Sequence, residues 1–231
     1  RLAIFDVSNP NSISARGFIS TTNIDNLKDV YVSGKFAYTV SDGSSVDALA
    51  IFDISNPDAI VARGAITTNL DSPRAVHVVG NYAYVASAGN NTLAIFDVSD
   101  PDNIVAKDTI TTNLNSPRSI FVSGQYAYLV NGQSGALRIY DIANPDDIVA
   151  KGIVSDNILN NNSGLFVSGR YAYVAKGTAL TIYDISNPES ITTLGSLSST
   201  GSVGGPTKMV VLGKYLYLTN DSSSADNFSV Y

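Results

Sequence analysis

Three bases stand at matching places just ahead of three apolar segments: Lys28, Arg74 and Arg118. Ser163 and Thr207 take that place before two later segments, with Lys208 one residue on. Bases gathered at one mouth would hold an anion or a carboxylate. The competing assignment spends them on ion pairs with Asp25, Asp29 and Asp71. A second series is acidic: Asp6, Asp53, Asp97, Asp141 and Asp184, each opening the phrase D-[VI]-[SA]-[ND]-P. A calcium ion needs several oxygens converging at one point. An Asp side chain can instead accept the N–H groups of the turn that follows, which Pro then fixes. Recurrence in every copy favours the turn. A calcium site would otherwise draw on Asp42 and Asp47, or on Asp221 and Asp226, whose spacing matches no known calcium loop. His77 is the only histidine and occupies the place filled elsewhere by Tyr31, Phe121, Phe166 and Val210, so a packed strand residue is expected. It has no G-x-S-x-G elbow beside it, and the chain carries neither a phosphate loop nor a dinucleotide fingerprint. One His and no Cys exclude disulfides and thiolate ligands and leave too few ligands for zinc chemistry. No enzyme, cofactor or metal is expected.

The elements that position these residues are repeated. "LAIFDVSNP" begins at Leu2, with close copies at Leu49, Leu93, Leu137 and Leu180, and "FSVY" at Phe228–Tyr231 starts the phrase again. The Asp residues are 47, 44, 44 and 43 apart. One period covers the chain, so a single domain over 1–231 is expected, in repeats of approximately 6–52, 53–96, 97–140, 141–183 and 184–231. Each period holds four strand signals. Strand a is "DVYVSG" and its copies, b is "FAYTV", c is the repeated phrase and d is "ISARGFI". Apolar residues occupy both faces of b and c, so both faces of each sheet are covered. Gly34, Gly80, Gly124, Gly169 and Gly213 sit in the tight a–b links, where φ > 0 is needed.

This pattern predicts an all-β chain: a β-propeller of four-stranded antiparallel blades in five repeats, with part of a propeller of six or more blades as the alternative. Strand c occurs once more often than the others. The expectation is that Ile13–Ile19 lies beside the final c strand, leaving "RLAIFD" surplus to add to a blade edge or pair with another molecule. The bases on strand d, Arg16, Arg63, Lys107 and Lys151, read as guards of an outer edge. Channel carboxylates of the kind that hydrolyse glycosides reduce to Asp29, whose counterparts are Ala75, Ser119, Gly164 and Lys208.

The L-x-I-[FY]-D phrase, the "SNP" or "SDP" turn after it and the "GNYAYVA" hairpin resemble the LVIVD-repeat family of propeller proteins over the whole chain. The last copy departs, ending before any Asp. The resemblance implies bacterial or archaeal surface and secreted proteins. It implies no reaction and carries over no catalytic residue.

Repeat-to-repeat variation falls in the d–a and b–c loops, as expected of a binding face on a uniform frame. The charge of −6 argues against nucleic acid and anionic lipid, and no apolar run spans a membrane. The chain begins at Arg1 without a signal peptide in view. The expected function is a non-catalytic extracellular or cell-surface scaffold for protein interaction, with a component of a surface assembly or filament as one form of it. The alternative is a carbohydrate-binding propeller, which the absence of Trp weakens. Expected partners are a protein or glycan at the loop face, or other copies through terminal strands. Sequons at Asn90, Asn161, Asn220 and Asn227 matter only in a host that glycosylates.

Overall fold

Alternation of apolar side chains at period two writes strands throughout, and every described element is one. The computed structural model describes residues 1–21, 24–43, 46–133, 135–155, 163–198, 206–220 and 228–230. The chain divides into two compact units, Arg1–Thr109 and Ile110–Tyr231.

The first unit holds a hairpin, β1 (Leu2–Asp6) with β2 (Ser14–Ile19), and two four-stranded sheets. These are β3 (Leu27–Ser33), β4 (Phe36–Asp42), β5 (Asp47–Asp53) and β6 (Val61–Ile66), then β7 (Pro73–Val79), β8 (Tyr82–Ser87), β9 (Thr92–Asp97) and β10 (Val105–Ile110). The second unit holds β11 (Pro117–Ser123), β12 (Tyr126–Asn131), β13 (Ala136–Asp141) and β14 (Val149–Ser155) in one sheet. A second sheet has β15 (Ser163–Ser168), β16 (Tyr171–Lys176), β17 (Ala179–Asp184) and β18 (Thr192–Ser198). A third has β19 (Pro206–Leu212), β20 (Tyr215–Asn220) and β21 (Phe228–Val230).

Each full sheet runs a-b-c-d in sequence order with antiparallel neighbours, which is the blade of a β-propeller. A frame cut at each Asp straddles two sheets; the sheets themselves begin at strand a. The five link glycines have φ between 57° and 61°, with open space where a Cβ would stand, so backbone conformation alone requires them. The closure expected from the strand count is corrected at its pairing: β2 is bonded to β1, and β21 to β20. "RLAIFD" is therefore the c strand of its own hairpin.

The core lies between successive sheets. In the first unit, Tyr38, Val40, Leu49 and Ile51 of one sheet pack on Val76, Val78, Ala83, Val85, Ala94 and Phe96 of the next. In the second, Tyr128, Val130, Leu137 and Ile139 cover Leu165, Val167, Ala172, Val174 and Tyr183. Large side chains of one face meet small ones of the other, so the sheets interlock. Burying a residue such as Phe96 contributes about 1.5–3 kcal/mol.

The bases of strand d do more than guard an edge. Arg16 pairs with Asp58 at 2.6 Å, Arg63 with Asp102, and Lys151 with Glu189 at 3.4 Å. Each acid follows the Pro of the next sheet's c–d turn. Beside each base a Gly receives that Pro: the N–H groups of Gly64 and Gly152 each donate to the carbonyls of Pro101 and Pro188 at 2.7 Å, and a Cβ on Gly17 would collide with the Pro57 carbonyl. A base, a Gly and a Pro-acid turn thus form a clasp between neighbouring sheets.

Candidate functional site

The candidate bases sit on a built irregularity. The residue ahead of strand a has positive φ in three sheets: Asn26 at 53°, Ser72 at 49° and Ser116 at 53°. Pro73 and Pro117 bar the right-handed helical region to the two serines. The register then skips one residue between Leu27 and Asp29, Pro73 and Ala75, and Pro117 and Ser119. Lys28, Arg74 and Arg118 are the skipped residues, so each base is borne on a β-bulge that re-aims its side chain. The same skip falls at Thr207, beside Lys208, whereas Ser163 pairs regularly with Lys176.

The structure brings Lys28 and Arg74 together on one carboxylate, which is that of Asp42. Arg74 Nη2 lies 2.8 Å and Lys28 Nζ 3.7 Å from Asp42 Oδ2. Ser72 Oγ donates to Asp42 Oδ1 at 3.2 Å, and the Ser72 N–H donates to Asp47 Oδ2 at 2.9 Å. Asp29 accepts the N–H groups of Val30 at 2.9 Å and Val76 at 3.2 Å. Three acids thus tie two sheets together around two bases, and the cluster carries no surplus positive charge. The predicted partner set of Asp25, Asp29 and Asp71 omitted Asp42, the acid that both bases meet. Asp71 lies over Gly89, where a Cβ would strike its carboxylate.

In the second unit, Arg118 runs its stem across Gly132, where a Cβ would stand 3.1 Å from its Cγ. Lys208 is exposed on β19, and its carbonyl accepts from Thr219 Oγ1 at 3.3 Å. The sequence reading missed Lys176, which is 1% exposed at the end of β16. It stands opposite Ser163, in the sheet whose strand a carries no base. Its signal was available: the matching place on strand b is held by Ser41, Ser87, Asn131 and Asn220 elsewhere.

The two loop sets are bonded to each other by main chain. The carbonyls of Asn26, Ser72 and Ser116 accept the N–H groups of Asp42 at 3.3 Å, Ala88 at 3.0 Å and Gly132 at 2.8 Å. Asn131 Nδ2 adds a bond to the Asn113 carbonyl at 3.1 Å, and Asn90 Nδ2 one to Asn69 at 3.0 Å. The Asn90 sequon therefore has its acceptor nitrogen engaged. Asn161 and Asn227 lie outside the described residues, as do Asp221 and Asp226.

The five repeated Asp residues are turn residues. Each Oδ1 accepts the N–H two places on: Ser8, Ser55, Ser99 and Ser186 at 2.9 Å and Ala143 at 3.0 Å. Hydrogen bonds from the serine side chain and backbone hold Asp6, Asp53 and Asp97 below the usual carboxylate range. In Asp184, Arg170 adds the largest effect and brings it to about 2. Among the described residues no three His, Cys, Asp or Glu side chains are grouped to hold a metal. His77 packs against Tyr31, ring centroids 4.6 Å apart, as a strand residue.

The LVIVD-repeat profile matches residues 26–68, 72–112, 116–156 and 161–198. No curated protein matches the chain. Among solved structures, a protein of unknown function from Desulfotomaculum acetoxidans superposes with a TM-score of 0.81 at 12% identity, covering 99% of this chain and 81% of that one. A Bacteroides fragilis protein provisionally assigned as a 6-phosphogluconolactonase gives 0.75 at 16% identity, covering 94% and 69%. The periplasmic gluconolactonase of Pseudomonas aeruginosa gives 0.68 at 14% identity, covering 89% and 64%. At these identities the likeness is one of fold. The four profile matches together span more than half of the sequence, and the chain belongs to the LVIVD-repeat family.

Proposed function

We propose that the chain is a non-catalytic scaffold outside the cell or at its surface, displaying its d–a and b–c loops to a protein partner. One observation carries this reading: in three sheets the two loop sets are bonded to each other through the same main-chain groups, while their side chains differ. Such a frame presents variable side chains without spending binding energy on ordering loops. Two of the four candidate bases, Lys28 and Arg74, are engaged with Asp42, and the tyrosines at 38, 84 and 128 are only 5% exposed, which leaves them no face for a sugar. The lactonase-like neighbours make the competing reading concrete. Purified protein should hydrolyse neither glucono-δ-lactone nor 6-phosphogluconolactone faster than buffer, and should leave a glycan array blank. Lactone turnover abolished by Arg74→Ala would overturn the scaffold reading; a glycan hit would replace it with the carbohydrate-binding one.

A further inference from the structure

An asparagine followed by glycine is a reactive pair. Glycine has no side chain to hinder its backbone nitrogen, which can attack the asparagine carboxamide carbon. A five-membered imide forms, the nitrogen gives its proton to solvent base, and ammonia leaves. Water then opens the imide at either carbonyl, to aspartate or to isoaspartate. This chain has one such pair, Asn131–Gly132, where β12 runs into its b–c loop. The loop frame uses both residues. Asn131 Nδ2 donates to the Asn113 carbonyl at 3.1 Å. A Cβ on Gly132 would stand 3.0 Å from the Ser116 carbonyl and 3.1 Å from Arg118 Cγ, closer than ordinary contact.

The same contacts disarm the pair. The attacking nitrogen has its proton committed, since the Gly132 N–H donates to the Ser116 carbonyl at 2.8 Å. The leaving nitrogen is held by Asn113. Pairing with Pro117 fixes Asn131 as extended backbone. Asn131 is 0% exposed, which keeps solvent base and water away. Its Oδ1 has no donor among the described residues, so nothing there would stabilise the negative charge that attack places on that oxygen. Either product is also wrong for the frame. Isoaspartate adds a carbon to the main chain and moves the Gly132 N–H off the Ser116 carbonyl. Aspartate has no N–H for Asn113 and sets a carboxylate against that carbonyl at a buried site.

We propose that Asn131–Gly132 is a modification site gated by the loop frame. It deamidates only while the d–a and b–c loops of the β11–β14 sheet are parted, and conversion then keeps them parted. The pair is a one-way latch on one part of the loop face. Ser41 and Ser87, which hold the place of Asn131 in the first unit's sheets, have no carboxamide to react. The proposal rests on the frame reading and adds to it a chemical record of loop opening.

The test incubates the folded chain and the peptide Tyr126–Gln133 side by side in mildly alkaline buffer. Conversion at Asn131 is followed by peptide mass mapping, and hydrogen exchange of the Gly132 amide is read in the same buffer. The peptide should convert at least about a hundredfold faster than the folded chain, as for a site open in about one chain in a hundred. Urea below the unfolding transition should raise conversion and Gly132 exchange in parallel. Converted chains, separated by ion exchange on their added negative charge, should show fast Gly132 exchange. Asn131→Ser, which borrows the residue of the first unit's sheets, should stay unconverted at this place through the same incubation. Conversion at the peptide's rate beside a slowly exchanging Gly132 amide overturns the proposal and leaves the frame standing. Fast conversion with fast exchange overturns both. Converted chains that keep slow Gly132 exchange overturn the latch.

Discussion

At the residue scale, one short side chain decides each turn. The repeated Asp closes its turn by accepting the N–H two places on, and this was legible because the same five-residue phrase returns at every copy. The ion pair between Asp184 and Arg170 was not legible, since nothing local distinguishes Arg170 from other link residues. Asp184 is depressed from 3.8 to about 2, by the Arg170 hydrogen bond first. A depressed acid contributes stability above its unfolded pKa and loses it as pH falls through the folded one. Melting of the unaltered chain and of Asp184→Asn should therefore differ at pH 7, and the difference should shrink as pH falls below about 4 and through about 2. Arg170 is 58% exposed, so solvent screening keeps the difference modest. A gap at pH 2 as large as that at pH 7 would contradict this cause. Glycines sort by a different test. Gly64→Ala must push a methyl into the Pro101 carbonyl 2.7 Å away and should cost about 1–3 kcal/mol. That corresponds to a fall in Tm of about 2–4 °C for each kcal/mol in a chain of this size. Equal melting of Gly64→Ala and of Gly195→Ala, whose Cβ would meet nothing described within 4 Å, would sink the clasp as a packing device.

At the element scale, the strands and their order within each sheet were readable from alternation and turn residues. The clasp was half readable. Arg16, Arg63 and Lys151 recur visibly, but their partners Asp58, Asp102 and Glu189 lie 38 to 42 residues on, a distance set by sheet stacking. A rule tying each base to the acid after the next Pro would have found them. A double-mutant cycle on Arg63→Glu and Asp102→Arg should return a coupling of about 0.2–1 kcal/mol, as for exposed pairs, with the swapped pair regaining most of the loss. Zero coupling would leave only the Gly–Pro contact to hold the clasp. The bulges were hidden for a physical reason: a skipped residue costs nothing in composition and shows only in register. They explain why Lys28 and Arg74, 46 residues apart, reach one carboxylate. Asp42→Ala should leave Arg74 without its anion at a part-buried site, costing about 1–3 kcal/mol by denaturant unfolding. No loss would make the cluster ornamental.

For the whole molecule, repetition made the propeller class and the family legible before any coordinate. Strand pairing at β1 was misjudged because counting strands assigns no partner, and the c strand of a hairpin bonds first to the d strand that follows it in sequence. No series of residues in the sequence singles out a ligand, and the two bases that meet, Lys28 and Arg74, do so on Asp42 in a contact that joins sheets. The central claim is that the loop face is a preformed frame, and native-state hydrogen exchange tests it most directly. The amides of Asp42, Ala88 and Gly132 should exchange as slowly as those of the adjoining strands, because each donates to the carbonyl of the opposite loop. Exchange at the rate of free loop amides would contradict the frame, and with it the scaffold reading.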